Sequence, residues 1–446
     1  MGQLSLPQKG MPKEDVLNTL KSFKSGDVKW HDGQLFGLIY ETGTNVENVV
    51  KEASALFLIE NGLNPTAFPS LVKMENEVVS MVIALSGGDD EAVGNLTSGG
   101  TESIFMALKA ARDWARHTYP EIKKPEMVVP VSAHPAWNKA AHYLGMKIIM
   151  TPLTDDFRAD VAAMKDAISE NTVILGATAV TYPQGMVDPV EEIAAMAKNR
   201  NLWLHVDACL GGLMLPFLKR LGHDIPAYNF SLPGVASLSA DIHKYAYTPK
   251  GVSAVIYRNR DLRKFQIFAY ADWSGGVYAT PCLAGGRPGG NIAAAWAVFH
   301  YLGEDGFLAL AKKTAEATAL LVEGINSIPQ LYVLGNPDAT VFAFSSNEIN
   351  IYELAVKMAA RGWHMDSQQL PPSLHMTVSP IHLAVAKRFL ADLRRVIPEV
   401  PRADSSDLSQ QAAMYAMLNT LPDRSMAREF VVDYINNLYS VVSPEK

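Results

Sequence analysis

Lys244 stands in the run Ser239-Ala-Asp-Ile-His-Lys-Tyr245, 37 residues after Asp207 in His205-Val-Asp-Ala-Cys-Leu-Gly-Gly212. A lysine amine can hold an aldehyde as a Schiff base, and a carboxylate facing a pyridine nitrogen keeps that ring protonated and able to accept electrons. The two together are what pyridoxal phosphate (PLP) chemistry requires, and neither alone says much. At about 4 Å and an effective dielectric near 20, such a charge pair is worth roughly 4 kcal/mol, enough to hold the pyridine nitrogen protonated at neutral pH. The protonated ring would then take up the electron pair released when a bond at the α-carbon of a substrate breaks.

Other residues belong beside this pair. The run Asn95-Leu-Thr-Ser-Gly-Gly-Thr-Glu-Ser103 precedes a helical pattern, and its glycines let backbone N–H groups approach an anion at a helix amino end. Ser98, Gly99, Gly100 and Thr101 are therefore candidate phosphate contacts. Alone, the same run is equally a strand-to-helix turn capped by Ser98 or Thr101. His243, directly before the lysine, and His134, in Val131-Ser-Ala-His-Pro-Ala-Trp137, are each by themselves ordinary hydrogen-bonding histidines; in this company His134 could stack on the pyridine face. A proton must also be taken from a substrate, and Tyr182, His134 and Lys250 are the candidates, with geometry left to choose between them.

The elements that must position these residues are legible as alternating apolar runs and amphipathic helices, the pattern of a mostly parallel sheet wrapped by helices. Strands are expected at Met127–Val131, Lys147–Met150, Val173–Thr178, Leu202–Val206, Val235–Ser239 and Val252–Tyr257, and helices at Glu102–His117, Ala159–Ile168 and Val190–Lys198. Residues 1–60 read as an N-terminal segment with a helical pattern over Val46–Ile59, residues 61–301 as a large cofactor-binding domain, and residues 302–446 as a smaller α+β domain. In the last, a helix is expected over Leu308–Ile325, a strand pair near Leu331–Leu334 and Thr340–Phe344, a helix over Tyr352–Ala360, a loop over Pro398–Gln411 and a final amphipathic helix over Ala427–Tyr439.

Composition bounds the function. A chain of 446 residues with 48% hydrophobic content can bury a large core, and a net charge of −7 with no Lys/Arg block argues against a nucleic-acid surface. The partner expected is a small molecule. Cys209 and Cys282 are too few for a disulfide framework and lack metal-ligand spacing, so no metal is expected and a reducing, cytoplasmic setting is. The amino terminus has no apolar stretch for secretion, and no run of about 20 apolar residues suggests a membrane span.

The residues Asn95–Ser103, His134-Pro135, His205–Gly212, Ser239–Gly251 and Asp272–Gly290 resemble the sphingosine-1-phosphate lyase family, within the fold-type I PLP enzymes and near the group II amino-acid decarboxylases. The similarity runs from about Tyr40 to about Tyr439. Its most specific block is His243-Lys-Tyr-Ala-Tyr-Thr-Pro-Lys-Gly251, because the second lysine, Lys250, is characteristic of the lyases. The resemblance implies a mostly parallel seven-stranded sheet, PLP as cofactor, and a homodimer with shared active sites. It implies Lys244 as the Schiff-base lysine, Asp207 as the pyridinium partner, His134 as the stacking residue, and Gly100, Thr101 and His243 at the cofactor phosphate. Lys250 would sit near the substrate phosphate, with Tyr40 contributed from a neighbouring subunit and the loop Gly285–Gly290 reaching the cofactor of the partner.

Two positions depart from the family pattern. Asn61-Gly-Leu-Asn-Pro65 carries Asn64 where a phosphate-binding histidine is expected, beside Asn61 as a further substrate-site residue, and Gly286 replaces a serine whose hydroxyl would serve the cofactor phosphate. Losing a charge-capable donor weakens the hold on a phosphorylated substrate. The implied activity is retro-aldol cleavage of a phosphorylated long-chain amino alcohol to an aldehyde and phosphoethanolamine. The alternatives are a PLP-dependent amino-acid decarboxylase and, from another class, a catalytically idle PLP-fold binding protein.

Overall fold

The computed structural model describes residues 5–420 and 424–440. At its centre lie seven strands: β1 (Val93–Thr97), β2 (Glu126–Pro130), β3 (Lys147–Thr151), β4 (Thr172–Thr178), β5 (Trp203–Asp207), β6 (Val235–Ala240) and β7 (Ser253–Tyr257). Their order in the sheet is β1-β7-β6-β5-β4-β2-β3. Only β7 runs antiparallel to its neighbours, so the carboxyl ends of the other six share one edge.

Six of these strands are the apolar runs expected from the sequence, within a residue or two at each end; β1 was not among them. Along the inner strands the side chains alternate between two cores: Val128, Leu204, Val206, Ala254 and Ile256 face one, while Met127, Val129, Trp203, Val255 and Tyr257 face the other, so both faces of the sheet are covered. Helices Gly100–Thr118 and Ala136–Leu144 cover the second face through Ala107, Ala111, Trp137 and Ala140.

Besides a two-stranded hairpin of Phe268–Trp273 and Gly276–Thr280, there is a second, five-stranded sheet, ordered Leu35–Phe36, His364–Gln368, Ser373–Thr377, Val341–Ser345, Tyr332–Val333. Its outermost strand comes from the amino-terminal segment and pairs parallel with His364 and Met365. Phe36, fully buried, stacks on His382 and packs edge-on against Phe389, which ties that segment to a third core. The helix expected over Leu308–Ile325 begins earlier: a helical run covers Gly289–Asn326, bent at Gly303, whose φ of +55° suits glycine.

The two sheets meet where the site lies. Tyr245 donates its hydroxyl to the Val378 carbonyl at 2.9 Å and accepts one from Thr340 at 2.8 Å. Among the described residues, no helix is long and apolar enough to cross a membrane.

Candidate active site

A cavity of about 480 Å³ opens at the carboxyl edge of the central sheet, where ligands of such α/β folds bind. Most of its wall comes from residues that immediately follow strand ends. Ser98–Glu102 follow β1, His134 follows β2, Thr178 ends β4, Asp207 ends β5, and Asp241, His243 and Lys244 follow β6. The small sheet closes it with Asp366 and Thr377, and the amino-terminal segment adds Gly37, Leu38 and Tyr40.

Continued as a strand, the chain after β6 would send His243 and Lys244 to opposite faces. It turns instead, through Lys244 N–H to the Asp241 carbonyl at 3.3 Å and Tyr247 N–H to the Lys244 carbonyl at 2.9 Å, and both side chains line the same cavity. Lys244 Nζ meets Asp241 Oδ2 at 3.1 Å. Burial works against the lysine charge, but the Asp241 carboxylate, with Asp207 behind it, outweighs it and holds the ammonium above its ordinary pKa. For Asp241 burial likewise opposes ionisation, and Lys244 and His243 outweigh it, so the carboxyl stays below the usual range. His243 lies 3.6 Å from the same oxygen, yet burial is its largest influence and lowers its pKa.

Asp207 is held rigidly: its Oδ1 accepts from Cys209 N–H at 3.0 Å and from the Ser239 hydroxyl at 3.4 Å. Next to it, burial pushes the Cys209 thiol well up, so it stays protonated. His134 accepts the Ala136 N–H on Nδ1 at 3.1 Å, which places the proton of its neutral ring on Nε2.

The turn from β1 into helix Gly100–Thr118 is built for close approach. A Cβ on Gly100 would lie 2.7 Å from Asp241 Oδ2 and 2.8 Å from both Asp241 Oδ1 and Cys209 Sγ, and Gly99 has φ +155°. Glu102 braces the loop, its Oε2 accepting Ser98 N–H at 2.6 Å and its Oε1 accepting Leu283 N–H at 2.7 Å.

At the mouth, Lys250 donates to the His243 carbonyl at 3.2 Å and sits 4.9 Å from the Tyr40 ring centroid. Partial desolvation at the mouth, reinforced by the charge of Lys244, pulls its pKa from 10.5 to about 8. Tyr182 donates its hydroxyl to Asp366 Oδ2 at 2.8 Å and stacks on the buried His375 at 3.9 Å. Burial first, then Asp366, raises the phenol pKa, so Tyr182 is a proton donor in this state.

The structure therefore brings Lys244, Asp207, His134, Lys250, Tyr182, Ser98, Gly99, Gly100, Thr101, His243 and Tyr40 around one cavity. Asn61, Asn64 and Gly286 lie outside it, and the side-chain oxygens of the two asparagines are spent locally. Asn61 Oδ1 accepts from Leu63 and Arg287 N–H, Asn64 Oδ1 caps Thr66 and Ala67, and Gly286 packs against Asn61 beside a smaller cavity of about 120 Å³. Tyr40, expected from a neighbouring subunit, reaches the cavity of its own chain, because strand Leu35–Phe36 is anchored to His364 and Met365 and the tyrosine packs edge-on against Tyr245. Sequence reasoning missed Asp241, Asp366 and Thr377. A carboxylate three residues before a lysine at a strand end was a usable signal for the first; the others come from over 100 residues downstream and left none.

These features fit a phosphorylated pyridine aldehyde. Asp241 Oδ1 and His243 Nδ1 are buried without partners at the same wall, and the glycine turn leaves the amino end of a helix open to an anion. Fold and site together define a PLP-dependent enzyme of the decarboxylase-like class. The pyridoxal-dependent decarboxylase conserved domain matches residues 2–347. The Arabidopsis thaliana sphingosine-1-phosphate lyase is 40% identical, covering 97% of this chain and 81% of that protein. A solved Burkholderia pseudomallei sphingosine-1-phosphate lyase superposes with a TM-score of 0.89 at 38% identity, over 98% of this chain and 97% of that one. A Lactobacillus brevis glutamate decarboxylase shares the fold, with a TM-score of 0.80 at 18% identity over 92% of this chain and 97% of that one. The chain belongs to the sphingosine-1-phosphate lyase family, and its cofactor is pyridoxal phosphate.

Proposed function

We propose that this enzyme cleaves a sphingosine-1-phosphate-like substrate between its α- and β-carbons, releasing a fatty aldehyde and phosphoethanolamine, as a cytoplasmic homodimer. When bound, pyridoxal phosphate supplies the sink for the electron pair left on the α-carbon. The chain's own residues do the rest. Lys244 would anchor the cofactor, Asp207 would keep its pyridine nitrogen protonated, His134 would pack on the ring, and Ser98–Thr101 with His243 would hold its phosphate. Tyr182 is the group of choice for moving the β-hydroxyl proton: its phenol oxygen would take that proton as its own passes to Asp366 Oδ2, 2.8 Å away, while Lys250 is left for an anion.

The observation that carries the substrate class is Lys250. It is a second cation in the cavity of Lys244, and among the described residues it forms no salt bridge, which leaves it free for an anion on the substrate. The loop Gly285–Gly290, lying outside its own chain's cavity, supports the homodimer reading. The test is product analysis with sphingosine-1-phosphate, the unphosphorylated base and common amino acids. Fatty aldehyde from the phosphorylated base is the expected result; carbon dioxide without aldehyde would make the enzyme an amino-acid decarboxylase instead.

A further inference from the structure

The Asp241–Lys244 pair has a consequence for how the cofactor is acquired, one that rests on Lys244 being the anchoring lysine. To bond with an aldehyde, the lysine must be a neutral amine: its lone pair adds to the carbonyl carbon, and the C=N bond forms as water leaves. Here the amine is an ammonium held at 3.1 Å by Asp241, a residue only 3% exposed. A Cβ on Gly100 would come 2.7 Å from this carboxylate, so the pair lies directly against the glycine turn. The other carboxylate oxygen, Oδ1, has no hydrogen-bond partner.

We propose that Asp241 is a positioning residue for cofactor capture, pinning Lys244 at the cavity wall as a paired ammonium and thereby setting the pH at which the lysine becomes a nucleophile. Each capture event then releases one proton to solvent before the bond forms. The other charged or titratable groups that face Lys244 are few. Asp207 and Cys209 lie at the end of β5 and in the loop after it, while His243, Tyr245 and Lys250 act from its own segment and Tyr182 and His375 from the opposite wall. Asp207 works in the same sense as Asp241, and Lys250 in the opposite one. Asp241 alone of these makes direct contact with Nζ.

The experiment follows capture of pyridoxal phosphate by the full chain stripped of cofactor, as the rate of appearance of C=N absorbance across pH. In the wild type the rate should still be climbing tenfold per pH unit as it nears the ordinary lysine pKa of about 10.4. Asp241→Asn should shift that profile down by at least about one pH unit, so capture at a fixed pH below it becomes roughly tenfold faster or more. Asp241→Glu, which keeps the charge, should restore the wild-type profile. Repeating the series with pyridoxal, which lacks the phosphate, must give the same shift, because the effect acts on the lysine and not on the anion seat. An unshifted Asp241→Asn profile overturns the proposal, as does a shift seen only with the phosphorylated aldehyde. Should Asp241→Asn not fold, a wild-type rate that levels off well below the ordinary lysine pKa overturns it equally. Lys244→Ala is the control for the underlying reading: C=N absorbance surviving in that variant would show that another lysine is the anchor, a failure distinct from an unshifted Asp241→Asn.

Discussion

Replacing Lys250 by methionine tests the cation that distinguishes a phosphorylated substrate. The ammonium has one neutral acceptor, the His243 carbonyl at 3.2 Å, and a ring face at 4.9 Å, with no salt bridge among the described residues. A substrate phosphate would therefore meet a charge that no carboxylate has neutralised. Hydrogen bonds between charged groups contribute about 1.5–3 kcal/mol, so Lys250→Met should lower kcat/KM for the phosphorylated base roughly ten- to a hundredfold, mostly through KM. The unphosphorylated base should be affected far less. The pH dependence follows from the partial desolvation and the neighbouring Lys244 charge that pull Lys250 from 10.5 to about 8. Below that value the free enzyme carries the cation, and above it the cation is lost, so kcat/KM should fall as pH rises through about 8. Bound phosphate keeps the lysine charged, so kcat should stay level there. Lys250→Arg retains a charge throughout, and the fall near pH 8 should vanish. Initial rates of aldehyde release between about pH 7 and 9.5, on both bases, decide the matter. An equal loss on both bases in Lys250→Met, or an unchanged fall in Lys250→Arg, would refute a substrate-phosphate role.

Three further outcomes are expected. Gly100→Ala places a methyl 2.7 Å from Asp241 Oδ2 and 2.8 Å from Cys209 Sγ; with about 1–3 kcal/mol of overpacking at the anion seat, PLP affinity by absorbance titration should fall tenfold or more, and an unchanged affinity would place the phosphate elsewhere. Glu102→Ala removes acceptors from both Ser98 N–H and Leu283 N–H, so hydrogen exchange at these two amides should accelerate together, whereas a change at only one would mean the loops are not coupled through this side chain. Tyr182→Phe keeps the stack on His375 and deletes only the hydroxyl joined to Asp366. A loss of about a hundredfold in kcat with PLP affinity intact is expected for a proton-transfer group, and near-normal kcat would reduce Tyr182 to packing.

How far the sequence could be read follows from where each signal resides. The strands buried on both faces announce themselves as apolar runs, and six of seven could be placed that way. The seventh, β1, is Val93-Gly-Asn-Leu-Thr97, diluted by Gly94 and Asn95. Gly94 is nonetheless required, because a Cβ there would lie 2.5 Å from the Val255 carbonyl, and Asn95 is buried against Glu75. What reads locally as weak strand is a close approach between β1 and β7 that only the folded sheet reveals. The same logic separates the legible part of the site from the rest. Lys244, Asp207 and the Ser98–Thr101 turn each sit at or just past a strand end, so a local pattern and a common topological edge converge on them. Strands His364–Gln368 and Ser373–Thr377 carry polar residues at alternate positions because one face of this small sheet borders the cavity. Their Asp366 and Thr377 therefore suppress the apolar pattern that would have marked the strands at all. In this chain the residues that complete the site are the ones that hide the elements bearing them, and the catalytic half contributed by the large sheet stands out because its side chains lie beyond the ends of strands whose interiors stay apolar.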